Sequence, residues 1–112
     1  MLTRLAIFEG RVKPGQEEAM RAYVETELAP LWRQFQPSKE VRVLYNAEEG
    51  DIPLVLAVTY VDRSAMEAAL DTPARYQSRD MLPAFYERFF EEVSLKHQLF
   101  EADVFAGDQT LA

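Results

Sequence analysis

Leu54-Val55-Leu56-Ala57-Val58-Thr59-Tyr60-Val61 is the stretch that decides the fold. Its residues are apolar or β-branched on both parities, so a strand built from it has two faces that avoid water. An edge strand in contact with solvent on one side would alternate apolar with polar residues, whereas this segment belongs in the middle of a sheet. Just before it, Glu48-Glu49-Gly50-Asp51-Ile52-Pro53 supplies dense turn chemistry. Val41-Arg42-Val43-Leu44-Tyr45-Asn46, earlier still, alternates partly and predicts a strand that reverses into the central one.

Upstream, Thr3 to Val12 contains the apolar run Leu5-Ala6-Ile7-Phe8 and ends at Lys13-Pro14-Gly15, where proline and glycine interrupt a strand. From Gln16 onward, Met20, Tyr23, Val24, Leu28, Leu31 and Phe35 recur at three- and four-residue steps. Glu17, Glu18, Arg21 and Glu25 take the complementary positions. This is an amphipathic helix with carboxylates in its first turn, where the helix dipole favours them. Pro30 lacks an amide donor and crowds the preceding turn, so the helix should bend or restart near Ala29.

Downstream, Asp62 or Ser64 can cap a short helix carrying Ala65, Met66, Ala69 and Leu70, which Thr72-Pro73 interrupts. Asp80 is a candidate cap for a further helix over Met81 to Val93, with Pro83 in its first turn and Met81, Phe85, Phe89 and Val93 on its buried stripe. Gln98 to Phe105 reads as the last strand, and residues 106–112 as a flexible tail after a single domain of residues 1–105. The order is strand, helix, strand, strand, helix, strand. That predicts an α+β, ferredoxin-like βαββαβ sandwich, a four-stranded antiparallel sheet with its first and third strands central beneath two helices. Glu27-Leu28-Ala29-Pro30-Leu31-Trp32 and Asp80-Met81-Leu82-Pro83-Ala84-Phe85 share a weak likeness that suits a pseudo-symmetric half repeat, although chance accounts for it equally well.

Composition narrows the chemistry. The chain has 112 residues, no cysteine, one histidine and a formal charge of −7. Without sulfur there are no disulfides, thiolate nucleophiles, iron–sulfur clusters or thiolate zinc sites, and a lone His97 leaves little for a metal. The acidic balance repels phosphate backbones and anionic lipids, so neither nucleic acid nor membrane is an expected partner. No apolar run approaches the roughly 20 residues that span a bilayer, and Met1-Leu2-Thr3-Arg4 runs straight into strand-like sequence, so a cytoplasmic protein is expected. No GxGxxG, P-loop or nucleophile elbow is present, and no cofactor is expected.

Two helices cover only one face of a four-stranded sheet, yet the central strands are apolar on both. The simplest closed cover is a second copy packed about a two-fold axis, so a homodimer through the sheet face is expected. Here the chain resembles the dimeric α/β barrel superfamily. The likeness spans roughly residues 3 to 105 and is carried by the element order together with two junctions. Those junctions are Gly10-Arg11-Val12-Lys13-Pro14-Gly15-Gln16-Glu17 and Tyr60-Val61-Asp62-Arg63-Ser64-Ala65-Met66. Glu27-Leu28-Ala29-Pro30-Leu31 is distantly similar to the His-Ala-Pro-Leu segment of EthD-like proteins, with Leu28 where those carry histidine. The superfamily also includes antibiotic-biosynthesis monooxygenases without cofactor, haem-degrading monooxygenases and isomerases of aromatic catabolism. The resemblance therefore implies a dimeric barrel that binds a small molecule, but it does not choose among these activities. Asn46, Trp32 and His97 are not placed like the Asn, Trp and His of the haem-degrading branch.

His97 is the only side chain that titrates near neutral pH without a large shift, which makes it the candidate catalytic proton acceptor. At a helix-to-strand junction between Lys96 and Gln98, it reads more readily as a structural or solvent-exposed residue. Tyr23, Trp32, Tyr60, Tyr76 and Tyr86 are the candidate substrate-binding residues, offering apolar walls and hydroxyl donors to an aromatic or enolisable compound. Core packing explains most of them as well. Arg4, Glu9, Arg11, Arg42 and Glu101 are strand charges that need partners or solvent. The adjacent pairs Glu17-Glu18, Glu48-Glu49 and Glu91-Glu92 diverge and read as solvated surface. The functions in view are a cofactor-independent monooxygenase or isomerase, a non-catalytic ligand-binding dimer, and a structural accessory dimer.

Overall fold

A computed structural model describes residues 1–105; the expected tail, residues 106–112, lies outside them. Strand β1 (Leu2–Val12) is followed by helix α1 (Glu17–Tyr23), a π-helical turn (Val24–Leu28) and helix α2 (Ala29–Trp32). Then come β2 (Glu40–Tyr45), β3 (Leu54–Tyr60), α3 (Arg63–Leu70), α4 (Pro73–Phe89) and β4 (Phe90–Glu101). All strand pairs are antiparallel in the order β2-β3-β1-β4, with β1 and β3 central, which is the ferredoxin-like sheet expected from the sequence.

Pairing fixes which side chains share a face. Arg4 lies opposite Val58, Ala6 opposite Leu56 and Phe8 opposite Leu54. These partners, with Val41, Val43 and Tyr45 of β2 and Val93 and Leu95 of β4, face the helices, and most belong to one core cluster. The other face carries Leu5 and Ile7 beside Ala57 and Val55 and has no helix over it. The thickness of 22 Å against 42 and 40 Å in the other directions matches one sheet plus one helical layer.

The core is largely aromatic. Phe8 sits 6.4 Å from Trp32 and 6.3 Å from Phe85, so the two ends of the suspected half repeat meet on one central ring. Tyr23 stacks on Phe85 at 5.5 Å, and Phe85 and Tyr86 each present an edge contact to Phe90. Offset and edge-on pairs of this kind add about 0.5–1.5 kcal/mol each beyond the area they bury.

The first helix does break at Pro30, but as a widened π turn rather than a simple kink. Proline cannot donate to the carbonyl four residues back and its ring pushes that carbonyl away, so the turn before it opens. Val24, Leu28 and Trp32 still reach the core through it.

Two boundaries differ from the sequence reading. Thr72 caps α4, its hydroxyl accepting from the Arg75 amide at 3.4 Å, and Pro73 takes the first helical position. Thr72-Pro73 thus starts a 17-residue helix, and Asp80 and Pro83 fall inside it. The helix ends at Phe89, and Phe90 is already extended, so the last strand runs from Phe90 to Glu101 and not from Gln98 to Phe105. The pattern Met81, Phe85, Phe89, Val93 extends past that end because Val93 also faces the core as a strand residue opposite Gly10. Ladder pairing with all of β1 outweighs the one further turn that helical periodicity would allow.

Gly10 makes this long pairing possible. Its φ is +156°, and a Cβ there would lie 2.0 Å from the Glu92 carbonyl oxygen, a backbone atom that cannot move aside. Asp62 caps α3 as expected, its Oδ1 accepting from the Ala65 amide at 2.8 Å.

Candidate functional site

The register lifts His97 out of the helix-to-strand junction and into the middle of β4, opposite Ala6 and so on the helix-facing side. One level along the sheet on the same side, Arg4 lies opposite both Val58 and Leu99; beyond it Tyr60 lies opposite Leu2. Arg75 enters from the first turn of α4. His97 is exposed, Arg4 and Arg75 are half-buried, and Tyr60 is buried. Arg4 and Arg75 act electrostatically on each other and on both Tyr60 and His97.

Burial, then the Arg4 and Arg75 charges, lowers the His97 pKa from its ordinary value, so the imidazole is neutral at pH 7 and can accept a proton. Burial and the neighbouring Arg75 also lower Arg4. Tyr60 is raised by burial, against the opposing pull of the two arginines, and stays a protonated donor. Among the described residues, neither Arg4 nor Arg75 has a carboxylate within 4.0 Å. Two guanidinium groups with no carboxylate partner among the described residues, near a neutral base and a phenol, can hold an anion as it forms and take its proton.

The other sequence candidates are distributed differently. Trp32 is buried against Phe8, and Tyr23 lies between α1 and α4 against Phe85 and Phe89. Tyr86 is half-buried with its ring edge-on to Phe8, and burial raises its pKa. Tyr76 is on the surface, its hydroxyl donating to Asp71 Oδ1 at 2.6 Å. The five aromatics therefore do not share one cleft; among them Tyr60 alone shares both Arg4 and Arg75 with His97. Asn46 and Trp32 do not join His97 either, since Asn46 follows the edge strand β2 while His97 belongs to the opposite edge, β4.

Away from this cluster, a cavity of about 450 Å³ lies between the start of α1 and the β2–β3 turn. Val12, Met20, Tyr45 and Pro53 provide its apolar lining. Tyr45 is the one tyrosine outside the sequence candidates, although its position in the alternation Val41, Val43, Tyr45 signals an inward side chain. Its hydroxyl is the only buried side-chain polar atom among the described residues without a hydrogen-bond partner. Burial, with Glu25 nearby, raises its pKa against the pull of Arg21. Nothing in the sequence singles out Arg75, which reaches His97 only through the placement of α4. Among the described residues, no group of three or more His, Asp or Glu is placed to hold a metal ion, and no helix is long and apolar enough to cross a membrane.

No protein-family model matches the chain, and no curated protein matches it in sequence. Solved structures do. An EthD family protein from Bacillus halodurans C-125 aligns with a TM-score of 0.72 at 19% identity, over 92% of this chain and 99% of that one. An antibiotic biosynthesis monooxygenase aligns at 0.61 and 16% identity, over 93% and 100%. SnoaB, a cofactor-independent oxygenase from Streptomyces nogalater, aligns at 0.57 and 21% identity, over 96% and 97%. The chain thus has the fold of these proteins over its full described length. Identities this low establish the fold and leave activity to the residues.

Proposed function

We propose that this protein binds a small hydrophobic compound, aromatic or enolisable, beside His97 and promotes its reaction without a tightly bound cofactor, as a monooxygenase or an isomerase. The observation that carries the reading is the register that sets His97 one level from Arg4 on the helix-facing side of the sheet, with Arg4 and Arg75 close enough to lower its pKa and with no carboxylate within 4.0 Å of either arginine among the described residues. His97 is a weak base, so the substrate must be acidic in its own right, a phenol or a dicarbonyl. Its O–H or C–H proton passes to the imidazole, and the arginines stabilise the anion left behind. Returned to another carbon, the proton completes an isomerisation. In the oxygenase variant, the electron-rich carbon forms a C–O bond to molecular oxygen, and the resulting peroxide anion takes the proton back from the imidazolium. Dioxygen is the oxidant; where the C–OOH carbon still bears hydrogen, loss of that proton together with hydroxide from the O–O bond releases water and leaves a carbonyl with one oxygen atom, the monooxygenase outcome. The fold shared with SnoaB supports this variant.

The same reading includes a homodimer. Leu5, Ile7 and Val55 form an apolar strip on the uncovered sheet face, edged by the ion pairs Lys96–Glu9 at 2.8 Å and Arg42–Glu40 at 3.0 Å. An apolar centre with a charge-balanced rim suits a second copy about a two-fold axis. Ile7→Glu should then yield a folded monomer in light scattering; a parent protein that is itself monomeric would remove this part.

The site is tested with 4-nitrophenol, whose absorbance distinguishes phenol from phenolate. Bound beside two arginines, it should ionise about one pH unit lower than in water, worth about 1.4 kcal/mol. Arg4→Gln, which leaves Arg75 as the one cation, should shrink that shift by about half. An unshifted titration in saturable complex, or an equal shift in Arg4→Gln, refutes the site. Oxygen uptake with dihydroxynaphthalene, lost in His97→Gln, separates the oxygenase from the isomerase.

A further inference from the structure

We propose that the cavity between α1 and the β2–β3 turn is a second binding site, which takes a compact organic cation with an apolar body. Its volume of about 450 Å³ lies in the range of small-ligand sites. Apolar contact comes from Val12, Met20, Pro53 and the Tyr45 ring, and the turn that walls it is held in place. The Gly10 amide donates to the Asp51 carbonyl at 2.7 Å, and Asn46 Nδ2 donates to the Ile52 carbonyl at 3.1 Å.

The charge at this cavity selects the ligand class. Glu17, Glu18, Glu48 and Glu49 line it, bringing together two of the acidic pairs that read as ordinary surface in the sequence. Two arginines are also present, but each is already matched. Arg11 lies 3.5 Å from both Glu91 and Glu92, and Arg21 lies 3.3 Å from Glu25. The local field is therefore negative, and an anion is disfavoured.

The Tyr45 ring adds a specific seat. The Arg21 guanidinium lies 4.2 Å from its centroid, well inside cation–π range, so the protein already places a cation on this ring. Arg21 occupies from within the position an ammonium group would take and competes with it. The preference is opposite to that of the Arg4–Arg75–His97 cluster, and the inference does not rest on the activity proposed there.

The test is a titration of ¹⁵N-labelled full-length protein with benzyltrimethylammonium, using benzenesulfonate as the anionic control. The cation should give saturable shifts at Gly10, Met20, Tyr45 and Gly50 and none at His97 or Leu99. Replacing Glu48 and Glu49 together by Gln, both in an exposed turn, should weaken binding roughly two- to five-fold per charge. Arg21→Gln should tighten it by freeing the ring. Equal binding of benzenesulfonate, shifts that do not saturate or arise elsewhere, or undiminished affinity in the double Gln variant with a native amide spectrum would each overturn the proposal.

Discussion

Tyr45→Phe should make this protein more stable, although it deletes a polar group from the core. Tyr45 Oη is buried with no partner among the described residues, and its raised pKa keeps it protonated, as a hydrogen-bond donor facing no acceptor. An unmade hydrogen bond of this kind costs about 1–3 kcal/mol relative to a hydroxyl in water. Removing the oxygen recovers that cost and opens a void smaller than a methyl group, worth a few tenths of a kcal/mol at about 24 cal/mol per Å³. The net gain is about 1 kcal/mol. Unfolding entropy of about 2.1 cal/mol/K per residue, taken over the 105 described residues, converts it to a rise in Tm of about 4–5 °C. Calorimetry, with urea unfolding at unchanged m-value, measures it. A fall in Tm of similar size would mean that the hydroxyl is hydrogen-bonded in solution and would refute the reasoning. The ring that seats Arg21 is retained, so the cation titration can be repeated on the same variant.

Gly10→Ala should cost at least 1–3 kcal/mol, because its Cβ would meet the Glu92 backbone rather than a side chain that can turn away; a Tm within 2 °C of the parent would contradict the close β1–β4 approach. Leu56→Asp, 5% exposed and facing the helices, should abolish cooperative unfolding or cost about 3–5 kcal/mol, and native melting would overturn the central placement of β3. The His97 imidazole should titrate by NMR below about 6.5, and Arg4→Gln should move its midpoint upward. Because the unfolded chain binds this proton more readily than the folded one, stability should be intact above about pH 6.5 and fall between 6.5 and the lower folded value. His97→Gln should flatten that part of the pH profile, and an unchanged slope would count against it.

The element order, the central placement of β1 and β3 and the break at Pro30 follow from the sequence alone, because each depends on local periodicity or on one residue's backbone chemistry. The doubly apolar Leu54–Tyr60 could not sit at a sheet edge, and Pro30 could not donate its missing hydrogen bond. Periodicity carries the last helix on to Val93 and delays the strand to Gln98, because Val93 satisfies a helical and an extended pattern alike. Only pairing along the whole of β1 resolves that boundary. Strand charges were equally ambiguous. A shift of one residue in register moves a side chain to the other face, so Arg4 beneath the helices and Glu9 and Arg42 on the open face were fixed by hydrogen-bonded partners, not by their own types. The candidate sites lie furthest from local reading. His97 feels the charge of Arg75, and Glu17 lines the same cavity as Glu48, across gaps in the chain that no periodicity spans. A pKa or a field depends on distances through space, which exist only once the sheet has brought those segments together.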